Sequence, residues 1–322
     1  MDVSVIVVSW NVGGWLARCL ASVQEALRGL RGEIIVVDNA STDGTPERVR
    51  EAFPEVRLLV NPVNQGFPAA NNQGMAIARG RYFFLLNPDT EVLGPALADL
   101  VAYADAHPDV GVVGPQLLNP DGTVQSSRRR FPTFWTALFE STWWQPWAPP
   151  RILRHYYVLD RPDDVVQEVD WVTGAAMLVR REVVERVGPM DEGFFMYAEE
   201  LDWCRRIRGA GWRVVYYPLA KVIHYGGRSS DQVPALQHLA FQRSKIRYWR
   251  KHHGRGAAAL LGAFLIGQYL WQIGLEGGKA LLGHRRAMRR ERIRIYREVV
   301  CGLLQKALPG TGKKGAGGGG VL

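Results

Sequence analysis

Cysteine is scarce in this chain, and its scarcity removes two kinds of scaffold at once. The three cysteines, Cys19, Cys204 and Cys301, lie far apart with no CxxC pair, so neither a zinc knuckle nor a disulfide framework is expected, and a reducing cytosol fits. No GxGxxG or Walker glycine pattern occurs, which counts against NAD and ATP. Helix-turn-helix, zinc-finger and RNP-like aromatic patterns are missing too, so the formal net charge of +9 does not point to nucleic acid. Asp2 stands where a signal peptide would carry a basic n-region, so no secretory leader is expected.

What is present is alternation. Val3 to Val8, Ile34 to Val37 and Val56 to Val60 are β-branched runs of strand length, as parallel strands buried on both faces require. Helical patterns follow them at Trp15 to Leu27, Thr45 to Phe53 and Ala69 to Ala78, and a fourth strand is expected at Tyr82 to Leu86. Repeated β-α-β units predict an α/β fold with a mostly parallel sheet flanked by helices, its ligand site at the carboxyl ends of the strands. Further on, a strand pair is expected from Gly111 to Leu118, with a hairpin turn at Asn119-Pro-Asp-Gly-Thr. Residues 131–164 have no clean period and read as an insertion facing the acceptor. Strands at Val169 to Val179, Arg213 to Tyr217 and Lys221 to His224, with helices at Arg181 to Val187 and Ala198 to Arg208, complete a first domain over 1–230. A helical region over 231–306 and a disordered tail over 307–322, rich in Gly and Lys, follow.

The polar signals sit at the expected strand ends. Ser9-Trp10-Asn11 closes the first strand, and Asp38-Asn39-Ala40-Ser41-Thr42-Asp43 the second. Carboxylates there suit a nucleoside, accepting hydrogen bonds from a base or from ribose hydroxyls; Asp43 is equally placed to cap its helix. Asn64, Gly66 and Asn71 bring amides and glycine to a helix start, where free N–H groups suit phosphate and ordinary turn chemistry gives the same pattern. Asn87-Pro88-Asp89 ends an apolar strand in an acidic turn, and Asp89 can hold Mg2+ or Mn2+ together with diphosphate oxygens and water. Glu199, Glu200 and Asp202 crowd one helix among aromatics. Glu199 and Asp202 share a face at i and i+3, and crowded carboxylates raise one another's pKa, as a general base near neutral pH requires. A solvated acidic face is the plainer alternative. His224 reads either as a metal ligand or as a buried, hydrogen-bonded histidine, and Arg128-Arg129-Arg130 either as a diphosphate clamp or as a solvated basic loop.

Taken together, in order and spacing, Val5 to Asn11, Asp38 to Thr45, Asn64-Gln65-Gly66 with Asn71, Leu85 to Asp89, Trp171 to Met177, Met190 to Cys204 and His224 resemble the inverting family 2 glycosyltransferases of GT-A fold, in particular their rhamnosyltransferase-like branch. The resemblance implies a nucleoside diphosphate sugar donor, whether dTDP-, UDP- or GDP-linked, with Asp38 near the base, Asp89 on the divalent metal and His224 as a further metal ligand. It implies a glycan or lipid-linked acceptor approaching over Trp171, Gly174 and Ala175. The base belongs to a Glu-Asp pair in such proteins; here the pair is Glu199-Glu200, and Glu200 is the expected base. No Gln-x-x-Arg-Trp pattern follows, so one sugar, or few, per acceptor is expected. A non-catalytic nucleotide-sugar-binding scaffold is the alternative that the Glu-Glu departure raises. A nucleotidyltransferase would carry a Gly-rich basic loop after the first strand, and Trp10 to Trp15 has none.

From Arg243 onward basic residues dominate. Gly256 to Leu275 is long enough to span a bilayer, yet Gln268, Gln272 and Glu276 form a polar stripe at i, i+4 and i+8, so a helix lying in the membrane plane competes with a span. Seven arginines from Arg285 to Arg297, at about 1 kcal/mol each near anionic lipid, favour attachment to the cytoplasmic leaflet of the cell membrane. A helical homodimerisation region is the alternative.

Overall fold

Seven consecutive residues buried on both faces make β1 (Val3–Ser9) the middle of a sheet. The computed structural model describes residues 1–228, 230–283 and 285–305, with no account of the Ser230 side chain; the tail expected to be disordered falls outside these residues. Chain order continues through α1 (Gly13–Ala26), β2 (Gly32–Asp38), α2 (Thr45–Ala52), β3 (Arg57–Val60), α3 (Phe67–Ile77), β4 (Tyr82–Leu86), β5 (Thr90–Val92), α4 (Ala96–Ala106), β6 (Val110–Leu118) and β7 (Val124–Gln125). Then come β8 (Arg128–Arg129), α5 (Phe134–Phe139), α6 (Pro150–Tyr156), β9 (Gln167–Glu168), β10 (Trp171–Val172), β11 (Ala176–Arg180), α7 (Arg181–Val187), α8 (Glu199–Gly209), β12 (Arg213–His224), α9 (Pro234–Leu281) and α10 (Arg286–Leu304).

The large sheet is ordered β3-β2-β1-β4-β11-β6-β12-β5, with β7 on β6 and β9 on β12. Parallel pairing joins β3, β2, β1 and β4, and joins β6 to β12; β11 runs antiparallel between β4 and β6. The strands β3, β2, β1, β4, β6 and β12 therefore all point one way, and their carboxyl ends share one edge of the sheet. One apolar cluster, from Val3 and Leu16 through Phe84 and Leu100 to Val222, fastens α1 and α4 to the sheet. Cys19 lies inside it and Cys204 is buried in α8; burial pushes each thiol up to about 12, which makes both unreactive.

Three sequence expectations change. The strand expected at Val169 to Val179 is two strands in two sheets: β10 pairs β8, β11 pairs β4 and β6, and Thr173-Gly174-Ala175 is the break between them. The two strands expected between Arg213 and His224 are one, β12, whose register slips between Tyr217 and Lys221 as it passes β6. The pair expected within Gly111 to Leu118 is the single strand β6, which turns at Asn119 to Gly122 and returns as β7.

The chain divides into a unit Met1–Gln232 and a unit that begins at Val233. In the second unit α9 is broken at Gly254, whose φ of 88° and ψ of 170° lie outside any helix. α9 and α10 enclose Leu239, Tyr269, Val299 and Val300. Two members of the polar stripe, Gln268 and Glu276, are buried, and Glu276 is ion-paired with Arg289 and, at 3.6 Å, with Arg292. A buried carboxylate needs such a partner, so Arg289 is not available to lipid headgroups.

Candidate active site

The carboxyl edge of the sheet collects the nucleotide-type residues. At the end of β1, Asn11 adopts φ 52°; its N–H donates to Ser41 Oγ and its Oδ1 accepts from the Thr42 N–H, each at 2.8 Å. Asp38 Oδ1 accepts from the Ser41 N–H at 2.8 Å, while Asp38 Oδ2 and Ser9 Oγ are buried with no partner among the described residues. Unsatisfied buried oxygens are costly, and two at adjacent strand ends, Ser9 and Asp38 being register partners, mark a place where a ligand or a small loop movement completes the bonding. Asp43 is committed locally. It accepts from the Thr45 N–H and hydroxyl at the start of α2 and from the Gly13 N–H at the start of α1. Burial acts to raise the Asp43 carboxyl, and these bonds outweigh it and hold it below its usual value.

Asn39 ties the next loop in. Its Nδ2 donates to Asn64 Oδ1 and the Gly66 carbonyl, and its Oδ1 accepts from the Gln65 N–H and Asn61 Nδ2. Gly66 has φ +89°, and a Cβ there would sit 2.5 Å from the Phe195 carbonyl, so only glycine fits. The Phe67 N–H donates to that same carbonyl at 2.8 Å, and Asn72 bonds both backbone groups of Met190. Asn71 serves α3 itself, donating to the Phe67 carbonyl. The start of α3 thus holds the segment 190–198 that leads into α8.

That segment ends in strain. Tyr197 and Ala198 both take left-handed φ, 70° and 60°, sparsely populated for residues with a Cβ and characteristic of functional turns. They deliver Glu199 and Glu200 to the first turn of α8. Glu199 Oε2 and Glu200 Oε2 are buried without a partner among the described residues, and Glu200 Oε1 accepts from the Gly174 N–H at 3.3 Å. Burial, and then the charge of Glu200, raises the Glu199 carboxyl well above its ordinary value; burial raises Glu200 as well, against the backbone N–H groups of the helix start and Gly174. The crowded pair is Glu199 with Glu200. Asp202 is fully buried and bonded by Arg206 Nε at 2.9 Å, and Arg206 also donates to the carbonyls of Val187 and Pro189, a lock between α8 and the turn after α7.

Across the edge, Asp89 and His224 meet with Oδ1 to Nε2 at 3.5 Å, both largely buried. His224 Nδ1 lies 2.7 Å from Gln125 Oε1, to which it donates, and this bond orients the ring with Nε2 toward Asp89. Burial acts to raise the Asp89 carboxyl, but His224 and the Arg228 N–H outweigh it and hold it below its usual value, so it is charged at neutral pH. An ionised carboxylate beside an oriented imidazole fits a divalent cation that takes its other ligands from phosphate and water. Among the described residues no cluster of three or more His, Cys, Asp or Glu side chains adds to them.

A continuous path joins the two carboxylate centres. Glu200 bonds Gly174; the neighbouring Ala175 carbonyl accepts from the Asn87 N–H at 2.9 Å; Asn87 Nδ2 lies 3.4 Å from His224 Nε2. Gln125 and Arg228 escaped sequence reasoning. Gln125 orients His224 from a two-residue strand with no signal of its own. Arg228 lies over the Trp15 ring at 4.7 Å, and the Gly226-Gly227 pair directly before it was its available clue. Trp171 donates from Nε1 to the Arg130 carbonyl, beside the break at Gly174 that follows β10.

Residues 4–188 match the family model described as glycosyl transferase family 2. The chain belongs to this family. The glycosyltransferase is 32% identical over 261 residues to an N-acetylglucosaminyl-diphospho-decaprenol L-rhamnosyltransferase of Mycobacterium tuberculosis (strain ATCC 25618 / H37Rv), spanning 77% of this chain and 84% of the relative. Its fold is that of solved GT-A enzymes. A mannosyltransferase of Pyrobaculum calidifontis in complex with GDP-Man and Mn2+ aligns with TM-score 0.54 and 19% identity, over 94% of this chain and 85% of that one. GalNAc-T7 with UDP, GalNAc and Mn2+ aligns with TM-score 0.56 and 18% identity, over 78% and 48%. The chain is an inverting glycosyltransferase, and nothing favours the non-catalytic scaffold.

Proposed function

We propose that this glycosyltransferase moves a rhamnosyl residue from a nucleoside diphosphate sugar, dTDP-linked in the first instance, to a hydroxyl of a lipid-diphosphate-linked saccharide in cell-envelope glycan synthesis. The observation that carries the reading is the hydrogen-bonded path from the Glu199–Glu200 pair through Gly174, Ala175 and Asn87 to His224 and Asp89, because a single displacement needs a base and a leaving-group centre at opposite ends of one short cleft. The relative's name supplies the substrate class.

In this mechanism Glu200 takes the acceptor hydroxyl proton, the oxygen attacks the anomeric carbon, the bond to the diphosphate oxygen breaks, and configuration inverts. Asp38, Ser9, Asn11 and Asn39 hold the nucleoside directly or by shaping its loop, and Trp171 and Gly174 flank the acceptor. Asp89 and His224 would hold Mg2+ or Mn2+, which when bound neutralises charge on the diphosphate. The test is turnover of dTDP-, UDP- and GDP-sugars with an N-acetylglucosaminyl-diphosphoryl lipid, analysed by chromatography. Transfer from dTDP-rhamnose that stops with EDTA is expected; transfer from none of the donors refutes the reading.

We further propose that the second unit rests on the cytoplasmic leaflet. The supporting observation is the outer face of α9, where Leu260, Leu270 and Trp271 are 59%, 53% and 56% exposed and no charge falls between Gly256 and Leu275. Arg250, Lys251 and Arg255 precede it, and Lys279, Arg285 and Arg286 follow, a cationic frame suited to anionic headgroups. Replacing Leu270 and Trp271 by Glu should abolish co-flotation with phosphatidylglycerol vesicles while leaving thermal unfolding in place. Unchanged flotation counts against this face, and a shift from dimer to monomer in sedimentation would assign it to a second copy.

A further inference from the structure

The three consecutive arginines that the sequence left between a clamp and a solvated loop have separate tasks. Arg128 is buried, donating to the carbonyls of Pro162, Val158 and Arg161, and Arg130 donates to the His155 carbonyl and both oxygens of Asp160. Both therefore fasten the 131–164 insertion and neither is solvated. Arg129 differs. Its guanidinium lies 4.5 Å from the Tyr157 ring centroid and 5.9 Å from those of Tyr156 and Trp171. Nη1 donates to Ser126 Oγ and the Arg128 carbonyl. Nε and Nη2 donate to no described residue, and no described carboxylate pairs with it.

A half-buried guanidinium without a counter-ion is costly; aromatic faces offset part of that cost, and an anion brought by a ligand would offset the rest. Burial lowers its pKa, against the pull of the tyrosines, Glu140 and Glu200, yet an arginine remains charged. Its position is specific. Arg129 pairs in register with Trp171, the Thr173 N–H donates to the Ser127 carbonyl, and the next residue, Gly174, bonds Glu200. The cation thus stands on the acceptor side of the base, on the strand pair that carries the acceptor wall.

We propose that Arg129 binds a phosphate of the acceptor's diphosphate and so holds the acceptor sugar's hydroxyl against Glu200, an assignment that rests on the transfer proposed above. The guanidinium fork matches phosphate oxygens in a way that a lysine does not.

The test compares two acceptor probes, N-acetylglucosaminyl-diphosphoryl-farnesol and the neutral octyl N-acetylglucosaminide, in the wild type, Arg129→Gln and Arg129→Lys. Binding is read by calorimetry and turnover by kcat/KM. In Arg129→Gln the diphosphate probe should bind roughly 10- to 100-fold more weakly, its kcat/KM falling by the same factor, with the octyl glycoside and dTDP affinity unchanged; Arg129→Lys should recover part. The ratio between probes is taken within each variant, so a loss of folded protein cancels. An equal loss on both probes, with a displaced pH profile, means that Arg129 acts through Glu200 and overturns the proposal. Weakened dTDP binding with the diphosphate probe unaffected assigns Arg129 to the donor and overturns it too. A wild type that binds the diphosphate probe in an Arg129-dependent way but transfers no sugar to it refutes the proposed reaction and leaves the anion site standing; a wild type that binds neither probe removes both.

Discussion

Glu200→Gln should lower kcat by about 10²- to 10⁴-fold and at the same time make the folded protein harder to melt. The first effect follows from losing the acceptor's proton sink. The second follows from linkage. Both carboxyls of the pair are raised in the native state by burial, so between the ordinary carboxylate range and the raised value the native state holds protons that the unfolded chain has released. Stability therefore falls as pH rises through the raised pKa. An amide in either position removes a buried charge, and each kcal/mol regained is worth roughly 2–4 °C in a domain of this size. The Tm gain should be present at pH 8 and small at pH 4. Activity should move the opposite way in the wild type, rising with pH through the titration of the pair, whose inflection belongs to both residues jointly. Glu199→Gln should keep most of kcat and shift that rising limb to lower pH, because the repelling neighbour is gone. Calorimetric melts at the two pH values and a kcat/KM profile read both effects. A Glu200→Gln protein that is both active and unaltered in Tm removes Glu200 from the mechanism, and a Glu199→Gln protein that loses the larger share of kcat transfers the role to Glu199.

Legibility in the sequence followed the physics of burial. β1, β2 and β4 are buried on both faces, so their β-branched and aromatic runs stand out against any neighbour; α1 to α3 carry the complementary helical spacing. The polar residues at those strand ends were readable because the carboxyl edge of a parallel sheet is the one place where an ionisable side chain belongs after an apolar run. What did not show was set by contacts distant in sequence. The Thr173-Gly174-Ala175 break has no turn signature; it exists because the two halves are claimed by different partners, β8 on one side and β4 with β6 on the other. The placing of Asp202 beside Glu199 on a helix face was sound helical geometry, but Arg206, one turn on, claims Asp202, and Glu200 becomes the neighbour that counts. The polar stripe of α9 was recognised as a stripe, but what Glu276 faces was not legible, since its partner Arg289 comes from α10.

Asp89→Asn tests the other end of the cleft. The amide keeps the volume of the side chain and an oxygen for the Arg228 N–H, so the fold has little to lose, while the negative charge that burial and His224 act upon disappears. A hard divalent cation with only two protein ligands depends on that charge. The expected result is that dTDP with Mn2+ raises the Tm of the wild type and that dTDP with EDTA does so much less, while the variant gives the smaller shift under both conditions; ligand-linked stabilisation scales with the logarithm of affinity. Turnover should fall by roughly 10³-fold, a loss of several kcal/mol in charge stabilisation at the diphosphate. Gln125→Ala should weaken Mn2+ binding by about 10- to 100-fold without touching either ligand, because it frees the His224 ring to rotate and to change tautomer. That graded pair separates the proposed centre from a purely structural Asp89–His224 contact. If Asp89→Asn shows full Mn2+-dependent protection, the cation is held elsewhere; if Gln125→Ala lowers Tm as much without nucleotide as with it, the Gln125–His224 bond serves the fold alone.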